Sequence, residues 1–271
     1  MARTGLGEAL MTWRAAVAPG DVGLPGRGAR RTPGLRREEL AQLAGISADY
    51  LTRLEQGRAA NPSAQVVEAL ARTLQLTGDE RSHLYQLAGL AVPAPERIPT
   101  VISPGVQRMV ERLGDTPVAV FDAMWTQLHA NALYVELMGY REGAELNAAW
   151  RNFLGSTSRV RQTPASLGQL QELQVADLRR TAGRYPHDPN LQALIDELRR
   201  RSPRFGELWE SGVVAEHHST RKIIDHPVAG AITLDCDVLQ VAGDDLRIMV
   251  YTAEPHSRDA DKLRLLTTVH T

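Results

Sequence analysis

Ala41 and Gly45 constrain this chain more tightly than any other pair of residues. They sit four positions apart between two short amphipathic segments and leave room for little except two helices crossing at a tight turn. The small side chain of Ala41 lets two backbones come close, and Gly45 can take a positive φ without a Cβ penalty. Apolar residues recur at helical spacing on both sides of the turn, with Leu40 and Leu43 before it and Tyr50, Leu51 and Leu54 after it, all expected to face a core. Ser47 is a natural N-cap for the second of these helices because its hydroxyl can accept from free first-turn amides, and Asp49 favours the positive helix start. Gly57 ends that helix, Asn61-Pro62 makes a turn, and Ser63 caps a further helix with Val66, Val67, Leu70, Ala71 and Leu74 inward.

Two more helices flank this group. Leu6, Leu10, Trp13 and Val17 form one apolar stripe that ends by Pro19, and a helix starting near Asp79 presents Leu84, Leu87 and Ala88. Residues 19–34 hold five Gly and three Pro and read as a loop carrying Arg27, Arg30 and Arg31. The result is a five-helix module over residues 1–92.

The stretch VPAPERIPTVISPG has four Pro in fourteen residues, which resists helix and central strand alike, so residues 93–104 read as a linker. Residues 105–271 then form a second domain, as a chain of 271 residues leads one to expect. PVAVFD and WTQLHA read as two short strands, residues 131–210 as mostly helical, HSTRKIIDH, AITLDCDVLQV and LRIMVYTAE as three longer strands, and a helix from about Arg258 closes the chain. The fold class is multidomain, all-α then α+β, the second part being a five-stranded antiparallel sheet with helices over one face.

Charge is concentrated rather than abundant. The net charge is −1, yet residues 27–37 contain five Arg and no acid, a local basic patch that suits a polyanion. The lone cysteine, Cys236, excludes an internal disulfide and any multi-Cys zinc site and fits a reducing interior. No apolar run reaches the roughly 20 residues a membrane span needs, and no signal-peptide core opens the chain, so a cytoplasmic location and no membrane partner are expected.

These features point to double-stranded DNA as a partner. With Leu51 and Leu54 anchoring it, the helix after the turn leaves Ala48, Asp49, Thr52, Arg53 and Gln56 outward, next to the capping Ser47. Arg53 can read guanine, Thr52 a phosphate or a thymine methyl, and Asp49 a cytosine amine, although Asp49 serves equally as a capping residue. Arg30, Arg31, Arg37 and Arg58 suit phosphates, which fix register. The competing reading is a plain helical bundle with a solvated face.

EELAQLAGISADYLTRLEQGR and the following NPSAQVVEALARTLQL resemble the Cro/CI-type (XRE) helix-turn-helix regulators, with Arg37 where that family commonly opens the motif with Gln. RTPGLRREELA, RYPHDPNLQALIDELRRRSPRFGELWE and HPVAGAITLDCDVLQV narrow the resemblance to the MmyB-like branch. It implies a PAS-like ligand-binding second domain, a fatty-acyl or other small apolar effector, and a homodimer acting on a palindromic operator, with no cofactor.

A cavity between sheet and helices would be apolar with few polar anchors. Candidate lining residues are Phe121, Trp125, Leu133, Leu137, Trp150 and Phe153, together with Leu208, Trp209, Leu234, Met249 and Tyr251; each could equally be plain core. Arg221, His217 or His218 could hold a carboxylate head group. Asn131 reads as a helix cap. An enzyme is disfavoured: His217 and His218 point to opposite faces of a strand and cannot both serve one metal with Glu216, Asp225 or His226, and phosphate-loop and Ser-nucleophile motifs are missing from the sequence. The remaining alternative makes the second domain only a dimerisation or protein-interaction module.

Overall fold

The sequence from Gly5 to Leu87 winds into α1 (Gly5–Ala16), a 3₁₀ turn (Pro19–Val22), α2 (Arg37–Leu43), α3 (Ala48–Glu55), α4 (Ala64–Thr73) and α5 (Gly78–Leu87). The structure is a computed structural model and describes residues 5–24, 34–59, 61–155, 158–215, 220–241 and 243–268. By contact density the chain divides into two units, Met1–Pro93 and Ala94–Thr271.

Caps set the helix starts of the first unit. Ser47 Oγ accepts from the Tyr50 amide at 3.1 Å and Ser63 Oγ from the Val66 amide at 3.3 Å. Thr77 and Glu80 form a reciprocal pair in which Glu80 accepts from the Thr77 amide at 2.9 Å. Gly45 sits at φ +68, the left-handed value that the turn requires. Leu10, Leu40, Leu51, Leu54 and Leu84 are fully buried. Leu43 is not inward as expected: it is 40% exposed. The buried stripe of α2 runs through Leu40, Ala41 and Ala44, and Leu43 lies about 60° off Leu40 on the side away from Ala41. Close packing elsewhere needs a missing side chain, since a Cβ on Gly7 would lie 2.4 Å from the Glu55 carbonyl oxygen.

The second unit is built on β1 (Val118–Phe121), β2 (Gln127–Ala130), β3 (Val160–Arg161), β4 (Thr220–His226), β5 (Gly230–Gln240) and β6 (Arg247–Thr252). These make one antiparallel sheet in the order β2-β1-β6-β5-β4-β3. The helices are α6 (Pro104–Arg112), α7 (Ala132–Met138), α8 (Ala148–Leu154), α9 (Pro164–Arg184), α10 (Pro189–Arg201), α11 (Pro203–Ser211) and α12 (Arg258–Thr268).

Two elements correct the sequence reading. The sheet has six strands rather than five, because β3 pairs Val160 with Ile224 and Arg161 with Ile223. Helices also lie on both faces rather than one. Val118 and Val120 pack with Ile248 against Val106 and Val110 of α6, while Ala119 and Phe121, on the opposite face by strand alternation, join the main core. The Pro-rich segment is anchored to this unit: Ile98 is buried and its amide donates to Asp188 at 2.8 Å. Asn131 caps α7 as expected, accepting from the Tyr134 amide at 2.9 Å.

A buried polar knot ties the helices to the sheet. Asp177 of α9 accepts from the Trp125 indole at 2.7 Å and from Arg247 of β6 at 2.8 Å. Arg247 also stacks on the Trp125 ring, 5.4 Å from its centroid, and donates to the Asp122 carbonyl at 3.3 Å. Asp177 and Arg247 are both almost wholly buried, and Asp177 pairs also with Arg180 at 3.0 Å, so it is removal of Asp177 that leaves a buried arginine uncompensated. Asp177→Ala is expected to cost about 3–5 kcal/mol in urea denaturation, and a second change, Arg247→Met, is expected to recover much of that loss.

Candidate nucleic-acid face and ligand cavity

α3 is held from below by its last residue. Glu55 is buried and accepts from Arg14 of α1 at 2.7 Å and from Arg37 at the start of α2, while Arg14 also donates to the Leu35 carbonyl at 2.9 Å. One carboxylate therefore fixes α3 against both neighbouring helices. Arg37, expected at a phosphate, has its Nε committed to this pairing and is half-buried.

The opposite side of α3 is open. Ser47, Asp49, Arg53 and Gln56 are exposed, with Ala48 and Thr52 half-exposed between them, and Arg58 is exposed just beyond the helix. Thr52 Oγ1 donates to the Ala48 carbonyl at 2.8 Å. Arg53 pairs with Asp49 at 3.2 Å and lies over the Tyr50 ring. Asp49 thus holds the side chain best suited to guanine, besides standing in the first turn. Arg30 and Arg31, like Arg27, lie outside the described residues.

In the second unit, sheet and helices leave a small chamber of about 70 Å³ lined by Trp125, Met249 and Tyr251 among the residues anticipated for a ligand. A larger groove of about 590 Å³ adjoins it between β3, β4 and the first half of α9, and the two share Val160, Leu170, Leu173 and Lys222 among their walls. Arg221 stands on the groove, but its guanidinium is exposed and bonded to Asp235 at 2.9 Å. Asp235 accordingly falls below the usual carboxylate range, chiefly through that bond.

The other anticipated residues serve packing. Phe121, Leu133, Leu137, Leu208 and Leu234 belong to the buried core. Phe153 meets Phe205 edge-on at 5.0 Å, Trp209 stacks on Phe205 at 5.6 Å, and the Trp150 indole donates to Glu197 at 3.2 Å. None of these eight lines the chamber or the groove. His217, His218 and Glu216 fall outside the described residues. Asp225 is paired with Arg161 at 2.6 Å, and His226 Nδ1 accepts from the Val228 and Ala229 amides, a turn-closing role. Among the described residues no cluster of three His, Cys, Asp or Glu could hold a metal, and no helix is long and apolar enough to cross a membrane.

Among the chamber residues that went unnoticed in the sequence are two arginines, Arg141 and Arg151. Arg151 shares one face of α8 with Ala148 and Asn152, at spacings of three and four, and all three line the chamber. Burial lowers its pKa from the usual arginine value. Tyr134 and Tyr251, whose rings lie 6.1 Å apart, form the floor, and burial pushes both phenols upward.

The turn that delivers Trp125 to the chamber depends on Asp122. Its Oδ1 accepts from the Met124 amide at 3.0 Å and the Thr126 amide at 2.8 Å, and Trp125 sits at φ +69, a left-handed value unusual for a bulky residue. Its Oδ2 is buried without a partner among the described residues, and burial raises the carboxyl to about 6.

Residues 102–266 match the family model described as the MmyB-like transcription regulator ligand binding domain, and residues 6–84 match a helix-turn-helix domain. No curated protein matches the chain.

Because the folded-state pKa of Asp122 lies above its unfolded value of 3.8, the folded chain holds the extra proton between about pH 4 and 6. Stability contributed by the neutral form is full below pH 4 and lost as pH rises through 6. Chemical denaturation across pH 4 to 7 is expected to show a fall of about 2–3 kcal/mol that is missing from the Asp122→Asn variant.

Proposed function

The chain belongs to the MmyB-like transcription regulators, and we propose that it is a sequence-specific reader of a palindromic operator, acting as a cytoplasmic homodimer whose second domain takes a small apolar, fatty-acyl-like effector. That it is a DNA-binding regulator with a ligand-binding carboxy-terminal domain follows from its two matched domains. The finer reading is carried by one observation: the interior of the second unit is not filled, and its chamber adjoins a partly apolar groove wide enough for a chain-like molecule. A module serving only for pairing would need no such space.

On the DNA side, α3 enters the major groove with Arg53 reading guanine and with Ala48, Asp49, Thr52 and Gln56 at neighbouring bases, while Ser47 fixes the helix start. Arg30, Arg31 and Arg58 contact phosphates, and Arg37 adds its remaining N–H groups from its place beside Glu55. Two recognition helices, one from each copy, meet half-sites about one DNA turn apart, consistent with the small reach of one eight-residue helix. The effector alters operator affinity by binding the DNA-competent and incompetent states unequally. The second domain takes the PAS-like role in this scheme, and residues 93–104 the linking one.

Two measurements test the reading. Arg53→Ala is expected to weaken binding to a selected duplex by about 1–3 kcal/mol and relax base choice there, with little change on random duplexes, read by fluorescence anisotropy. An equal loss on both would remove Arg53 as a base reader. Mass spectrometry of the denatured protein, purified from cells, is expected to release a small apolar molecule in near-equal molar amount. A chain that carries nothing and takes up no acyl probe would leave the pairing-module reading in its place.

A further inference from the structure

The outward face of α3 and its cap carries no net charge. Ser47, Ala48, Asp49, Thr52, Arg53 and Gln56 make it up, with one acid and one base, while the helix's other acid, Glu55, is turned inward to Arg14 and Arg37. The two outward charges form an i,i+4 pair, with Arg53 Nε 3.2 Å from Asp49 Oδ2. The guanidinium also lies over the Tyr50 ring, 5.6 Å from its centroid. Tyr50 packs against the core of the first unit and its amide is the one that Ser47 caps, so the ring stands on a fixed support. The backbone under Arg53 is fixed as well, because its carbonyl accepts from the Arg58 amide at 2.8 Å and the Ala59 amide at 3.2 Å.

Stability does not account for the pair. Both side chains are more than half exposed, and ion pairs in that setting add little. The helix start is already served by the Ser47 hydroxyl. For affinity Asp49 is a liability, since an acid brought up to a phosphate backbone is repelled by it, and binding to duplex of any sequence is driven by cations that neutralise phosphates. What the pair supplies is order. A free arginine samples many rotamers and reaches a phosphate as readily as a base edge. One held at Nε by a carboxylate and along one face by a ring presents Nη1 and Nη2 as a fork with a set direction.

We propose that Asp49 is a positioning residue for Arg53 rather than a reader of a base of its own, and that it lowers general affinity for duplex DNA while sharpening discrimination at the guanine that Arg53 meets. This rests on the reading of Arg53 as a base reader and adds the residue that sets how strictly the base is chosen. A neutral face draws little from phosphates, so α3 gains binding only where Arg53 finds the O6 and N7 acceptors of guanine. Opposite any other base, an arginine tied to Asp49 must either leave its partner or leave its own donors unpaired, and each option weakens binding. Phosphate attraction then falls to residues off this face, Arg58 among the described ones.

The test uses the full chain and its Asp49→Asn, Arg53→Ala and doubly substituted variants. Fluorescence anisotropy reads binding to a selected duplex, to the same duplex with each base pair changed in turn, and to random duplex, at about 50 and 200 mM salt. Asp49→Asn is expected to bind random duplex about threefold more tightly at the lower salt, with a log–log salt slope steeper by about one, because Arg53 is then free to meet a phosphate. Its preference for the guanine, identified as the position where Arg53→Ala loses choice, is expected to fall about two- to tenfold, the range for ordering one long side chain. In the Arg53→Ala background the same change is expected to alter base choice at no position. Asp49→Ser, which keeps a helix-start side chain, serves as a second variant with the same expectations. Full preference at that guanine in Asp49→Asn would overturn the proposal. So would a loss at a different base pair that persists without Arg53, since Asp49 would then read a base itself. A lowered melting temperature with all duplexes weakened alike would make Asp49 a helix-start residue only, and would overturn it equally. These three outcomes leave Arg53 in place as the reader, whereas an equal loss of selected and random duplex in Arg53→Ala would remove both roles together.

Discussion

The carboxylate of Asp177 is the point on which the second domain turns. It is buried, it faces a buried arginine from the sheet, and it accepts from the indole that lines the ligand chamber. Helix layer, sheet and cavity wall thus meet in one charged group. Hydrophobic contact alone brings α9 onto the sheet, but it is nondirectional and would tolerate rotation about the helix axis. A charge that is satisfied in only one arrangement does not. The position of Trp125, and through it the shape of the chamber, follows from this.

The first domain uses the same device at smaller scale. Glu55, at the last turn of α3, is buried against Arg14 and Arg37, which come from two different helices. Gly7 lets α1 come within contact distance of the Glu55 carbonyl, so backbone packing and side-chain pairing fix the same crossing. The contacts of the outward face of α3 are local ones within the helix, the Ser47 cap, the Thr52–Ala48 bond and the Asp49–Arg53 pair beside Tyr50. In the first domain the pairing that holds α3 lies on the side opposite its exposed face, whereas in the second it reaches the chamber wall through Trp125.

Legibility in the sequence followed the length and regularity of the pattern. The helices of the first domain were readable because Ser47 and Ser63 announce starts and Leu51, Leu54, Val67 and Leu70 repeat at helical spacing. The long strands were readable by alternation. α6 was hidden because Pro104 stands at its first turn inside a proline-rich stretch, which reads as linker even though Val106 and Val110 keep the helical interval. β3 is two residues long, too short to show any period. The site was the harder problem. Large aromatic residues at Phe121 and Trp209 look like cavity walls and turn out to fill the core or stack against it, while Trp150 bonds to Glu197 away from the chamber, because size marks packing and not a void. Arg141 and Arg151 look like solvent-facing charges, and only the spacing of Arg151 with Ala148 and Asn152 hinted that it shares a buried face. A void belongs to no single segment, so no local pattern spells it out.

The edge strand beside the cavity has a kinetic meaning. β3 is attached through two residue pairs, with the exposed Arg161–Asp225 bridge as its only side-chain ion pair among the described residues, and Val160 lies on the wall common to chamber and groove. Short, solvent-exposed edges open at a small fraction of a domain's global unfolding free energy. Opening the interior at this edge would take the unzipping of two residue pairs rather than the loosening of a sheet.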